Sequence, residues 1–218
     1  MTSPRKRVVV FISGGGSNMM ALVAAAKAQD FPAEIVGVIS DKPDAGGLAK
    51  AAAEGIATFA FPRKDYASKE AHEEAIFAAL DSLSPDIICL AGYMRLLSGT
   101  FIQRYEGKMI NIHPSLLPLF PGLHTHQRAI DAGMRIAGCT VHFVTEGMDE
   151  GPVIGQAAVP VLSDDTADAL AARVLTVEHQ IYPQALKLFA EGKVRMEGGK
   201  AVRAADATTN ATDTVISA

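Results

Sequence analysis

Val8-Val-Val-Phe-Ile12 runs straight into Ser13-Gly14-Gly15-Gly16-Ser17-Asn18, and a helical pattern from Ser17 to Gln29 leads to a second apolar run, Ile35-Val-Gly-Val-Ile39. A β-branched run, a glycine turn, a helix and another such run make a βαβ unit, which calls for a parallel sheet. The alternation continues with a helix over Gly46 to Glu54, a strand Thr58-Phe-Ala-Phe61, a helix from Ser68 to Leu83 and a strand Asp86-Ile-Ile-Cys-Leu90. The first and fourth runs are apolar at every position. Strands of that kind are covered on both faces, so both are predicted to be central.

Beyond Gly122 the pattern changes to two strands, Arg135 to Val144 and Val153 to Val161, joined by the polar segment Thr145 to Pro152. So short a connection makes them antiparallel neighbours. A helix from Thr166 to Glu191 follows, with Leu170, Val174, Val177, Ile181 and Leu188 at helical spacing; it is predicted to lie across the sheet and to kink at Pro183. No repeat or linker divides the chain, so residues 1–203 are expected to form a single domain with a phosphate-binding N-terminal half. Ala204 to Ala218 is small and polar with little to bury, and is predicted to be a mobile tail.

Of the 218 residues 49% are hydrophobic and 20% charged, and no apolar run approaches the roughly 20 residues that span a bilayer, so a soluble protein with no membrane partner is expected. The basic start Met1 to Arg7 resembles the head of a signal peptide, but the apolar stretch behind it ends at Gly14-Gly15-Gly16. A net charge of -4 argues against nucleic acid as a partner, since tracking a phosphate backbone needs a basic surface. Cys89 and Cys139 both stand in apolar contexts, which suits buried thiols in a reducing, cytoplasmic compartment, and two cysteines make no zinc framework.

The glycine turn places free backbone amides at a helix N-terminus, the outline of an anion site. Ser17 or Asn18 could cap the helix or donate to the same anion. A dinucleotide fingerprint would need glycine where Met19 stands, and no Gly-Lys-Ser/Thr follows as in a P-loop, so a monophosphate is the better fit. A glycine-rich turn without a ligand is the plainer alternative.

A second polar centre lies in Asn111-Ile-His113-Pro-Ser-Leu-Leu-Pro118-Leu-Phe-Pro-Gly122. In an extended backbone residues two apart point the same way, so Asn111 and His113 share a face, and the prolines keep the following loop from joining a ladder. The acidic turn Glu146-Gly-Met-Asp149-Glu150-Gly151 offers a carboxylate that could orient His113 and favour its charged form; Asp149, between glycines, is the candidate. His124-Thr-His126 has ligand-like spacing but no evident third ligand, His142 sits in an apolar strand as a core histidine would, and Glu178-His179 reads as a solvated pair unless the helix end faces a ligand.

From Val8 to about Glu191 these motifs, together with Leu90-Ala-Gly-Tyr-Met-Arg-Leu-Leu97, Val141-His-Phe-Val144, Asp149-Glu-Gly-Pro-Val-Ile154 and Glu178-His-Gln-Ile-Tyr-Pro183, closely resemble the folate-dependent phosphoribosylglycinamide formyltransferases, or GAR transformylases. The resemblance implies a Rossmann-like α/β formyltransferase fold with a mostly parallel central sheet, helices on both faces and an antiparallel C-terminal strand pair. It implies 10-formyltetrahydrofolate as co-substrate, phosphoribosylglycinamide as acceptor, no metal, and a folate-binding C-terminal half; a homodimer is left open. By position, Asn111, His113 and Asp149 match the catalytic trio. Gly16, Ser17, Asn18 and Glu178 match residues that bind the ribotide, and Lys69, Met94, Arg95, Leu96, Leu97, Asn111, Thr145, Glu146, Gly147, Met148 and Asp149 match residues that contact folate. The family more usually has arginine where Lys69 stands and Gly-Asn-Gly where Gly15 is central, and lysine cannot copy a bidentate arginine contact.

Two rivals share the loop motif: the formyltetrahydrofolate hydrolases, which carry an extra N-terminal domain, and the methionyl-tRNA formyltransferases, which add a C-terminal β-domain and a basic surface. The chain is expected to begin at its first strand and to have nothing folded after about residue 203, unlike either. A non-catalytic phosphate-binding module on the same fold is the rival of another class.

Overall fold

The computed structural model describes residues 4–204, so the predicted tail lies almost wholly outside the described residues. Seven strands form one sheet in the order β3-β2-β1-β4-β5-β6-β7, and β8 with β9 forms a separate pair. The chain divides into two compact units, Met1–Asn111 and Ile112–Ala218.

The first unit starts with β1 (Lys6–Ile12), α1 (Ser17–Ala26), β2 (Ala33–Ser40), α2 (Gly46–Ala53) and β3 (Ala57–Ala60). A 3-10 turn (Arg63–Asp65), α3 (Lys69–Leu83), β4 (Ile87–Leu90), α4 (Gly99–Arg104) and β5 (Met109–His113) complete it, β5 crossing the boundary between units. Strand β1 pairs in parallel with β2 on one side and β4 on the other, and β4 pairs in parallel with β5. The fully apolar runs are therefore central, as their composition requires: Val8 to Ile12 are 0% exposed, and every residue of β4 is buried. Helix α1 stops at Ala26 rather than Gln29, because Pro32 disfavours helical backbone at Phe31 and the chain turns there to bury that ring. Helix α4 was not foreseen, although Ser98 caps it by accepting a hydrogen bond from Phe101 N at 3.1 Å.

The second unit holds α5 (Thr125–Asp131), β6 (Ile136–Phe143), β7 (Val153–Pro160), α6 (Ala167–Ala190), β8 (Val194–Glu197) and β9 (Lys200–Arg203). Strands β6 and β7 are antiparallel, with Ile136 opposite Pro160 and His142 opposite Val153. Thr166 caps α6 through Ala169 N, and the helix runs through Pro183 without ending. It packs on β6 and β7. Its apolar stripe does the work the spacing implies: Leu170 and Val174 join Cys139, Val159 and Ala129 in the core, with Val177 and Ile181 packed at the margin. The β8–β9 hairpin was missed, yet its signal stands in the sequence, because Gly198 and Gly199 both take positive φ (54° and 72°) in the two-residue turn. Among the described residues, no helix is long and apolar enough to cross a membrane. Cys89 and Cys139 are buried free thiols.

Candidate functional site

The glycine loop leaves β1 and enters α1 through Gly16, which stands at the N-cap with φ +70° and no side-chain cap. The expected cap by Ser17 or Asn18 is not made, because the left-handed backbone at Gly16 already turns the chain and puts Ser17 inside the first helical turn. Gly16 has to be glycine for a second reason: a Cβ there would lie 2.9 Å from Gly47 Cα. Gly14 and Gly15, by contrast, are exposed and face open space, with nothing within 4 Å of an added Cβ. The second helix braces the loop, Gly47 N donating to Gly14 O at 3.0 Å and Lys50 Nζ to Gly15 O at 2.8 Å. Two exposed glycines at a helix N-terminus, an open approach and a nearby ammonium suit a small anion.

Also in the first unit, Lys69, Met94, Arg95, Leu96 and Leu97 line one cavity of about 450 Å³, with Arg63, His72 and Tyr93. Five predicted contact residues, drawn from the start of α3 and the segment after β4, thus share one wall. Met94 and Leu96 are 64% and 74% exposed, so apolar surface and cations meet in one place, a combination that suits a flat apolar ligand bearing carboxylates.

In the second unit His113, at the end of β5, is buried and held from two sides. Its Nδ1 lies 3.3 Å from Asp149 Oδ2, and its Nε2 lies 3.0 Å from the carbonyl oxygen of Phe120. Both ring nitrogens face acceptors, an arrangement fully satisfied only when each carries hydrogen. The loop that brings Phe120 there is tied down as well as bounded by prolines: Thr140 on β6 accepts from Leu117 N at 3.0 Å and donates to Ser115 O at 2.7 Å. Asn111, two residues before His113 on β5, is half-buried.

Asp149 takes positive φ (58°) at the tip of the turn, and its Oδ2 also accepts from Gly122 N at 2.8 Å. The turn can reach only because Gly151 lacks a side chain, since a Cβ there would sit 1.7 Å from Phe143 O. Thr145 and Gly147 are half-buried and Glu146 and Met148 exposed along the same turn.

His142 is the core histidine its apolar strand implies, but its nearness to Asp149 was not foreseen. It is buried, its Nδ1 lies 2.8 Å from Phe143 O, and its Nε2 lies 3.9 Å from Asp149 Oδ1. Burial pushes its pKa below the usual imidazole value, against the opposing pull of the Phe143 carbonyl and Asp149. Nothing in the sequence marks that nearness, because the strand position that makes it core also aims it at the turn. Glu178 on α6 is buried rather than solvated, and its charge adds to burial in pushing the Cys139 thiol up to about 12.

Comparison with known proteins adds an independent finding. The family model described as formyl transferase matches residues 6–186. A crystal structure of phosphoribosylglycinamide formyltransferase from Brucella melitensis superposes with a TM-score of 0.86 and 66% identity, over 98% of this chain and 100% of that one. Phosphoribosylglycinamide formyltransferase of Escherichia coli is 46% identical over 87% of this chain and 89% of its own length. The trifunctional purine biosynthetic protein adenosine-3 of Bos taurus is 49% identical over 90% of this chain, which spans only 20% of that longer protein.

Proposed function

The chain belongs to the formyl transferase family, and from that membership we propose that it moves the formyl group of 10-formyltetrahydrofolate to the amine of 5-phosphoribosylglycinamide, giving the N-formyl ribotide and tetrahydrofolate in purine biosynthesis. One observation carries this reading: likeness to the phosphoribosylglycinamide formyltransferase of Escherichia coli extends over nearly the whole of both chains.

The residues have chemistry for each step. Attack of the amine on the formyl carbon develops an oxyanion, which must be met by donors already in place. Asn111 supplies an amide N–H and His113 an imidazole N–H. The Phe120 carbonyl holds His113 Nε2, so the oxyanion would take that hydrogen in competition with the carbonyl. Asp149 keeps the ring oriented and stabilises its positive charge, as a carboxylate does for an imidazole in other acyl transfers. The proton lost by the amine is then carried to the departing folate nitrogen. Gly16, Ser17 and Asn18 hold the ribotide phosphate and Glu178 its sugar hydroxyls. Lys69 and Met94 to Leu97, with Thr145 to Asp149, contact the folate. Holding two substrates in attack geometry supplies about 7 to 11 kcal/mol and each oxyanion donor about 3 to 4, so positioning is the larger share. No step in this scheme calls for a metal.

The test is a spectrophotometric assay with 10-formyl-5,8-dideazafolate and the ribotide. Transfer only when both are present is expected. Deformylation without the ribotide would support a hydrolase, and tight ribotide binding without transfer would support a binding module.

A further inference from the structure

Three neighbouring strands of the first unit, in the order β2-β1-β4, deliver Asp41, Ser13 and the segment Gly92 to Leu97 at their carboxyl ends. Ser13 and Asp41 are 5% and 8% exposed, and nothing in the formyl-transfer scheme uses either. Ser13 Oγ donates to Asp41 Oδ1 at 2.5 Å, Met94 N donates to Ser13 Oγ at 2.9 Å, and Ser13 N donates to Gly92 O at 3.2 Å. The other oxygen of Asp41 lies 3.7 Å from Arg95 Nη1. Tyr93, between these contacts, packs edge-on against Phe11 of β1, with ring centroids 5.2 Å apart.

The polarity of this chain of bonds has a fixed sense. An ionised carboxylate only accepts, so Asp41 takes the single hydroxyl hydrogen of Ser13 and leaves the Ser13 lone pairs facing the Met94 N–H. Its second oxygen draws the Arg95 guanidinium to the same point. A buried carboxylate is expensive to keep, and one that is held by both a hydroxyl and a guanidinium defines where those partners sit. The residues so fixed, Met94 and Arg95, line the cavity of about 450 Å³.

We propose that Ser13 and Asp41 are positioning residues that set the Gly92 to Leu97 segment against the start of the glycine loop and thereby shape the folate-side cavity, acting through Met94 and Arg95 without touching a reacting atom. The inference rests on the proposed folate co-substrate. Its signature is selective: the folate site loosens while the Gly14 to Asn18 loop stays where it is.

The experiment compares the full chain with Ser13→Ala and Asp41→Asn. The first leaves the Met94 N–H and the Asp41 carboxylate without their shared partner; the second keeps an acceptor for Ser13 and turns an amide N–H2 toward Arg95. Each should raise KM for 10-formyl-5,8-dideazafolate roughly tenfold, Ser13→Ala by losing a hydrogen bond to a charged group and Asp41→Asn by losing the charge that faces Arg95, while KM for the ribotide and kcat each change less than about threefold. The dissociation constant of 5,8-dideazafolate, measured by calorimetry, should weaken by the same factor. An equal rise in both KM values, a loss confined to kcat, or unchanged affinity for the dideazafolate would overturn the proposal. Circular dichroism checks folding, and the isosteric Asp41→Asn carries the test if Ser13→Ala does not fold. Wild-type protein that binds the dideazafolate but transfers no formyl group would refute the functional reading while the binding comparison still judges the positioning role.

Discussion

Asp149→Asn separates charge from geometry at the His113 site. The swap is nearly free of structural consequence. Asparagine accepts the positive φ of 58° at this position at least as readily as aspartate, and its carbonyl oxygen can replace Oδ2 as acceptor for Gly122 N at 2.8 Å. The amide N–H2 then takes the place of Oδ1 near His142 Nε2, which is a bare acceptor when Nδ1 donates to Phe143 O. What disappears is a full negative charge 3.3 Å from His113 Nδ1. Replacing the carboxylate behind an imidazole by its amide, with the geometry left intact, costs about 10⁴ in turnover in other acyl transfers, and the acceptor kept at the Oδ2 position retains some of that. The loss should therefore lower kcat by a factor on the order of 10³. The measurement is kcat in the dideazafolate assay, with thermal melting and dideazafolate affinity as controls that should stay near wild type. A folded variant with kcat within tenfold of wild type would refute the view that Asp149 acts through its charge on His113.

Three other outcomes follow from the packing. Gly151→Ala would place a Cβ 1.7 Å from Phe143 O, so the Asp149 turn must move by more than an ångström; stability should fall by about 1 to 3 kcal/mol in denaturant melts and kcat by roughly 10². Arg173 forks onto Asp165 through two bonds of 2.7 Å and holds the carboxyl down at about 2 from an ordinary 3.8. Since this folded-state value is depressed, the stabilisation is complete above the unfolded value and is lost as pH falls toward 2; Asp165→Asn should melt lower than wild type at pH 6, with the gap closing between about pH 4 and 2. Cys139 is buried with its thiol pushed up to about 12, so a thiol reagent at pH 8 should label it only at the rate of unfolding, and rapid labelling of native protein would contradict the packing of β6 under α6.

The order of strands and helices could be read because it depends on local pattern. Continuous apolar runs demanded central strands, and Leu170 and Val174 at helical spacing demanded a helix on a core; both are properties of a few neighbouring residues. Short elements escaped for the converse reason. Helices α4 and α5 have six and seven residues, too few for periodicity to stand out, while the β8–β9 hairpin carried its one clear mark in Gly198-Gly199.

The candidate residues divide in the same way. Asn111 and His113 could be paired from the alternation of a strand, and the glycine loop from the chemistry of a helix N-terminus. That Asp149 meets His113, that His142 flanks the same carboxylate, and that Ser13, Asp41 and Arg95 form one chain of bonds are matters of tertiary structure. Local pattern is set by steric and hydrophobic preferences that act within one turn or one strand. Contacts between residues dozens of positions apart depend instead on where Gly151 lets a turn pass and on how the strands are ordered in the sheet, and neither is a property of any short stretch of chain.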